Sequence, residues 1–594
     1  MGMFLHFFRV SFILDGRWYL TWLTSFLGSG CPGSWPLGRR SCWLGASSPC
    51  SASPYRRAVR SGSAHTIGRE SAMSTRPGTP RASRRRCAAL MIALLLTGLA
   101  VLAPGVSEAA SPGATVTSGS WLYPNGDLAN TRDATGAAIS SANVSDLKQA
   151  WSFTLTGNAA AGVDHLGSLT GVPIVLNGVV YIQDLDSNVY ALNFTTGKLR
   201  WEYRLNLPER SGPGPNGVAV ANGTVFGASP TTVFALNAAT GRTIWVDRHL
   251  LKSGEGTFGI QPQVADGRVY LASQYGSGPS GGVLLGLSAS TGKLLWTFNS
   301  VLGLDKGVKA LGLGAGGAWE TPLVGTDGSV TFGIGNPYQS ADSAIKYPSK
   351  ILYTNSDVNL SAATGKLRWY YQGVPDDFKD YDMQASPIAA DVNGVPAVIG
   401  GGKMGYVYAM NAETGALIWK TPVGAHDGHD NDSLQALEHR SKLKAPYTYL
   451  PGAVGGILTN MALAGNSIYV VTDDFPFRAK SLSTVLGLPA GSEAGEIEAL
   501  SLSTGKVEWD TKVSDLPLGA ATVSGDLVFT TLYHGTLIAL NSTTGAIVYR
   551  RQLPTSTNAP LAIAGNTVLV PAGGPQTSKA KARGKPQLVA YTVP

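Results

Sequence analysis

The chain has 594 residues, of which 44% are hydrophobic and 14% charged, with 74 glycines. That allows a large core and many turns, and it suits one large repeat architecture as well as several domains. The formal net charge of +8 does not mark a nucleic-acid binder: residues 1–110 hold 13 basic and 3 acidic residues, which leaves 33 basic against 35 acidic over 111–594, a net of −2. Cys31, Cys42, Cys50 and Cys87 all precede residue 111, so the body carries no disulfide, no thiolate metal site and no Cys-x-x-Cys-His haem attachment.

In chain order, residues 1–72 form an Arg-, Ser-, Gly- and Trp-rich extension without a consistent period. It reads as a mis-called start, with an apolar anchor in its first 28 residues as the competing reading. Met73 opens a secretory signal over 73–110: Arg81 and Arg84–Arg86 supply the basic segment, "CAALMIALLLTGLAVLA" the apolar one and "SEAAS" the small residues for cleavage. The mature body is therefore expected to be exported, to the periplasm, the cell surface or the medium.

From 111 to 594 the body repeats. "NFTTGKLRW", "NAATGRTIW", "SASTGKLLW", "SAATGKLRW", "NAETGALIW", "SLSTGKVEW" and "NSTTGAIVY" each place a Thr-Gly turn between an alternating apolar strand and an aromatic strand. Glycine there supplies the positive φ of a tight hairpin. A further strand–turn–strand element precedes each unit, as in "VPIVLNGVVYI" and "AATVSGDLVFT". Eight such elements against seven Thr-Gly units leave one outer strand missing. "LKQAWSFTL", with Trp151, and the terminal "QLVAYTVP" supply the parts of one shared blade. The expectation is an all-β, eight-bladed β-propeller of four-stranded antiparallel blades, a closed ring without free sheet edges.

Successive outer-strand aromatics lie 40 to 51 residues apart except across Trp296 to Trp369 and Trp419 to Trp509, where the spacing rises to 73 and 90. Insertions in repeat proteins map to loops, often on a binding face. "VPDDFKDYDM" follows the first insertion and places four aspartates in ten residues. Each is open to reading as a solvated loop acid or as a carboxylate delivered to a site. The second insertion holds "GAHDGHDNDS", where His426, His429 and Asp430 read as a polar loop because no strict metal spacing is met.

"WLYPNGDLANTRD", "FGIGNPYQ", "YPSKILYTNS", "TGKLRWYYQGVPDDFKDYD" and "GGKMGYVYAMNAETG", in this order, resemble the pyrroloquinoline-quinone (PQQ) dependent alcohol dehydrogenases. The repeat units alone are also shared by non-enzymatic scaffold propellers of the outer-membrane assembly type. The resemblance implies PQQ and Ca²⁺ as cofactors, an alcohol, sugar or polymeric alcohol as substrate, and a separate electron acceptor such as a cytochrome. Residue by residue it implies that Trp319 stacks on the quinone, Asn336 ligates the metal, Asp380 is the catalytic base at or near the metal, and Lys403 contacts the quinone oxygens. It leaves Asp376, Asp377 and Asp382 as solvated or structural acids. Ser277 and Asn216 stand near positions where the family carries a metal-binding glutamate and a cofactor-binding arginine, and Thr170 where it has an early acid. The alternative reading is a non-catalytic propeller that binds envelope components.

Overall fold

A computed structural model describes residues 119–594 apart from 135, 162–165, 206–215, 277–280, 303–314, 440–442, 484–487, 490–492 and 575–583, and ahead of them the strand pair Phe12–Leu14 and Arg17–Tyr19. The signal segment 73–110, nearly all of the extension 1–72, and Ser277 lie outside the described residues. No helix among the described residues is long and apolar enough to cross a membrane.

Eight four-stranded antiparallel blades follow one another. Blade 1 runs through Ile174–Leu176, Val179–Gln183, Val189–Asn193 and Leu199–Tyr203. Blade 4 comprises Leu323–Val324, Ser329–Gly333, Ser356–Ser361 and Leu367–Gln372, and blade 5 Ile388–Val392, Val395–Gly402, Tyr406–Asn411 and Leu417–Pro422. Blade 6 comprises Ala462–Ala464, Ser467–Asp473, Gly495–Ser501 and Val507–Val513, and blade 7 Thr522–Ser524, Leu527–Leu532, Thr536–Asn541 and Ile547–Gln552. Blade 8 closes the ring from both ends of the chain: Lys148–Thr154 pairs with Gln587–Thr592, which continues through Thr567–Ala572 to Ala562–Ala564. This is the shared blade expected from Trp151 and "QLVAYTVP".

The packing explains the repeat. Each outer-strand tryptophan lies over the next blade's Thr-Gly turn and donates its indole N–H to a carbonyl there: Trp151 to Phe194 (2.8 Å), Trp296 to Ala362 (3.0 Å) and Trp509 to Ser542 (2.9 Å). The turn glycine is required twice over at Gly365. Its φ is +66°, and a Cβ would stand 2.6 Å from the Trp296 ring. The entry segment ties inner strands together. Trp121 pairs with Val175 of blade 1, and backbone N–H groups of Ala389, Leu463 and Val523 donate to Ala129, Thr131 and Arg132. The fully buried Arg132 guanidinium donates to the carbonyls of Ala521 and Leu561, each at 2.7 Å.

In such a meander, second-to-third-strand loops and blade-to-blade connections emerge on one face. Both insertions sit there. The first contributes the helix Ala341–Lys346, the second the helix Asp432–His439 and the strand Tyr447–Tyr449. Ala341, Ala344, Phe378 and Ala436 form one buried cluster, so the two insertions pack against each other and against the aspartate-rich loop.

Candidate active site

Four elements of that face deliver the side chains. Trp319 lies on the connection into blade 4, Asn336 on the loop after Ser329–Gly333, Asp380 on the connection from blade 4 to blade 5, and Lys403 on the turn after Val395–Gly402. The structure brings Asn336, Asp380 and Lys403 into direct contact. The Asn336 amide donates to Asp380 Oδ1, and Lys403 Nζ lies 3.1 Å from Asp380 Oδ2. Trp319 adjoins them: a Cβ on Gly335 would stand 3.0 Å from its Nε1 and 2.6 Å from Asp382 Oδ1, so glycine before Asn336 is what lets indole and carboxylate close in.

Asp382 is the residue that sequence reasoning assigned elsewhere. Its Oδ1 accepts from the Asn336 backbone N–H and side-chain amide, each at 2.7 Å, and its Oδ2 lies 2.6 Å from Lys403 Nζ. It is fully buried. The one signal in the sequence was the i, i+2 spacing of Asp380 and Asp382, and the left-handed backbone at Asp380 (φ +68°) is part of the loop that brings both carboxylates to Asn336 and Lys403.

Asp376 and Asp377 are not solvated either; both have zero exposure. Asp377 accepts from the backbone N–H groups of Lys379 (2.9 Å) and Tyr381 (2.8 Å) and from Asn355 (3.1 Å), which folds the loop around it. Asp376 accepts from Gln339 at 2.6 Å. Buried Lys379 is held by Asp432 at 2.8 Å and by the His429 carbonyl at 2.6 Å, so the second insertion clamps the aspartate loop. His426 and His429 face different carboxylates, Asp430 (2.8 Å) and Asp432 (3.0 Å), and act as loop braces.

Two tyrosines complete the surroundings. Tyr275, 41% exposed, meets Trp319 edge-on with centroids 5.0 Å apart, and it stacks with Tyr338 at 6.2 Å. Tyr275, Tyr338, Asp376 and Asp380 all have positive φ, from 50° to 68°. Left-handed backbone costs a non-glycine residue about 1–2 kcal/mol. Four such residues around one cluster mark a loop set held in shape by its contacts. Thr170 and Asn216 are buried on the segments leading into the strands Ile174–Leu176 and Ala219–Ala221.

Electrostatics follow from burial. Asp380 is held well above the ordinary carboxylate range, chiefly by desolvation, against the attraction of Lys403 and with Asp382 adding to the rise. Lys403 is raised by Asp380 and Asp382, which outweigh its desolvation. Burial thus favours the protonated form of Asp380 beside the Lys403 ammonium. A hard cation among these oxygens would replace that proton and leave Asp380 ionised. Asp380 and Asp382 are hard-oxygen donors of the kind such cations take, and Asn336 adds its Oδ1, which here accepts from the Tyr338 backbone N–H at 2.6 Å, when its amide turns over. The flat Trp319 face suits a planar ring, and Lys403 suits its oxygens. The residues present fit a planar quinone beside a hard cation.

The family described as glucose/ethanol/alcohol dehydrogenase, beta-propeller domain, matches residues 121–221 and 251–425, and that described as outer membrane protein assembly factor BamB matches 493–585. The chain is 26% identical over 473 residues to the quinoprotein alcohol dehydrogenase PedH of Pseudomonas putida, covering 69% of this chain and 78% of that protein. It is 25% identical over 375 residues to the quinohemoprotein alcohol dehydrogenase of Comamonas testosteroni, covering 56% of this chain and 51% of that one, so it spans about half the length of that relative. Among solved structures, the quinohemoprotein alcohol dehydrogenase ADHIIG of Pseudomonas putida superposes with a TM-score of 0.68 at 20% identity over 80% of each chain. A europium-containing methanol dehydrogenase superposes at 0.66 and 20% identity over 80% of this chain and 98% of that one. These matches make the chain a PQQ-type β-propeller similar, at low identity, to the PQQ-dependent alcohol dehydrogenases.

Proposed function

We propose that this chain is an exported PQQ-dependent oxidoreductase that removes two electrons from an alcohol, with Asp380 as the base. The observation that carries the reading is the convergence of Asp380, Asn336, Asp382 and Lys403 in a buried cluster beside Trp319. When bound, PQQ supplies the two-electron acceptor. The chain's own part is proton handling and placement. An Asp380 carboxylate takes the alcohol O–H proton, which needs it ionised and within hydrogen-bond reach of the hydroxyl. The Asn336 amide and Lys403 ammonium both contact Asp380 and fix its orientation. Asn336, Asp380 and Asp382 would hold the cation. Ca²⁺ is one candidate, and the europium of the methanol dehydrogenase relative points to a second class of hard ion. Lys379, Phe378 and the two packed insertions exclude water from behind the aspartate loop.

The alcohol class is open to simple alcohols, sugars and polymeric alcohols. No cysteine follows Cys87 through residue 594, so these residues hold no Cys-x-x-Cys-His haem attachment, and the proposed acceptor is a carrier such as a cytochrome. The last repeats match the assembly-factor profile, which favours a binding scaffold as the second reading. Asp380→Asn separates the two. It keeps the volume and removes the base, so dye-linked alcohol oxidation should fall by at least a hundredfold while PQQ still binds. Turnover unchanged in the variant, or undetectable in the PQQ- and cation-loaded wild type with every alcohol class, overturns the enzyme reading.

A further inference from the structure

The loop arrangement that builds the Asn336, Asp380 and Lys403 cluster recurs two blades further on. At the junction of blades 4 and 5 the side chains come from a second-to-third-strand loop, the connection to the next blade, and that blade's own second-to-third-strand turn. At the junction of blades 6 and 7 those three places are taken by Glu493, Asp515 and His534. One donor atom from each of these three lies within 4.8 Å of the other two.

The geometry orients the imidazole. Asp515 Oδ1 lies 2.6 Å from His534 Nδ1, and Asp515 Oδ2 accepts from the His534 backbone N–H at 3.1 Å. With Nδ1 held by Asp515, Nε2 faces Glu493 Oε2, 3.5 Å away. Metal–nitrogen and metal–oxygen bonds of about 2.0–2.2 Å to a tetrahedral ion put neighbouring ligand atoms roughly 3.4 Å apart. A carboxylate holding the far nitrogen of a ligating histidine is the usual outer partner of such a site.

A second observation is independent of this trio. Asp473 is 2% exposed, and neither of its carboxylate oxygens has a hydrogen-bond partner among the described residues. It ends the blade 6 strand Ser467–Asp473. Alternate residues share a strand face, so it continues the face of Tyr469 and Val471, which pack with Val523, Val528 and Leu532 of blade 7. Asp473 is thus aimed into the same seam, and Asp515 lies within its electrostatic reach.

We propose that Glu493 and His534, oriented by Asp515 and supported by Asp473, bind one divalent transition-metal cation of borderline softness, such as Zn²⁺. The ion pins the loop that carries Glu493 to blade 7. The site stands apart from the Asp380 cluster and does not depend on the proposed activity.

The test uses the chelator-stripped full propeller in saturating Ca²⁺, titrated with Zn²⁺ by calorimetry. One Zn²⁺ per chain is expected, with affinity at least tenfold weaker in Glu493→Gln and in His534→Gln and unchanged in Asp380→Asn. No stoichiometric binding to wild type, or equal affinity in the Glu493 and His534 variants, overturns the proposal. Should the variants fail to fold, zinc-edge X-ray absorption of the wild type decides: a shell of one imidazole with carboxylate oxygens supports the site, and an all-oxygen shell or one with two or more imidazoles refutes it.

Discussion

Replacing Lys403 by methionine removes the ammonium that lies 2.6 Å from Asp382 and 3.1 Å from Asp380 while nearly keeping the side-chain volume. Both carboxylates are buried, at 0% and 6% exposure. Breaking a buried ion pair from one side costs about 3–5 kcal/mol, because the remaining charge is neither solvated nor compensated. Unfolding entropy of about 2.1 cal/mol/K per residue makes 1 kcal/mol worth roughly 1 °C in a propeller of this size, so Tm should fall by about 3–5 °C at pH 7. The loss must depend on pH. Asp380 already sits above the ordinary carboxylate range through burial, and the loss of Lys403 pushes it higher still. Below about pH 4 the Asp380 carboxyl is increasingly protonated in the folded and unfolded chain alike, and the variant should approach the wild type. As pH rises above 4 the unfolded chain releases that proton freely and the folded variant does not, so the deficit grows. Calorimetric Tm values for the cation-free proteins at pH 4 and pH 7 measure it. A shift below 1 °C at pH 7, or one of equal size at both pH values, would refute the buried-pair reasoning.

Gly365→Ala should lower Tm by about 2–5 °C, since it adds left-handed strain of about 1–2 kcal/mol to overpacking of about 1–3 kcal/mol against Trp296. Gly223→Ala, with φ +72° and nothing within 4 Å of its Cβ, isolates the strain alone, and equal effects of the two would contradict the docking account. Asp357 is fully buried, neither of its oxygens has a hydrogen-bond partner among the described residues, and burial raises its carboxyl to about 8. Its folded value lies above the unfolded one, so stability present at low pH is lost as pH rises from about 4 to 8. Asp357→Asn should therefore raise Tm at pH 9 relative to its effect at pH 5; the same shift at both would show that the group does not titrate in the fold.

The ring was legible because one physical device repeats. A glycine with positive φ, a tryptophan stacked on it and an indole N–H bonded to the turn recur at a nearly fixed interval, and Trp151 reveals the shared blade by lacking a turn of its own. The meeting of Asp380 with Asn336 and Lys403 was legible through resemblance, with Asn336 and Lys403 each beside a glycine or proline that shapes its loop. The burial of Asp376, Asp377 and Asp382 was not. An acid-rich loop is ordinarily a solvated one, and what buries this one is the pairing of two insertions more than 50 residues apart in sequence, through Ala344, Phe378 and Ala436. Asp382 was passed over for the same reason. The seam between blades 6 and 7 had no local signal at all, because Asp473, Glu493, Asp515 and His534 meet only through blade order.

Binding of the cofactor tests the central claim most directly. The cation-stripped propeller is mixed with PQQ alone, with PQQ and Ca²⁺, and with PQQ and a lanthanide ion, then passed through a sizing column. Quinone absorbance should elute with the protein at about one per chain only when a cation is present, and should be lost in an Asn336→Ala, Asp382→Ala double variant, which removes two of the three side chains proposed to hold the cation. Quinone that never elutes with the wild-type protein under any of these conditions, or that elutes equally with the double variant, would contradict it.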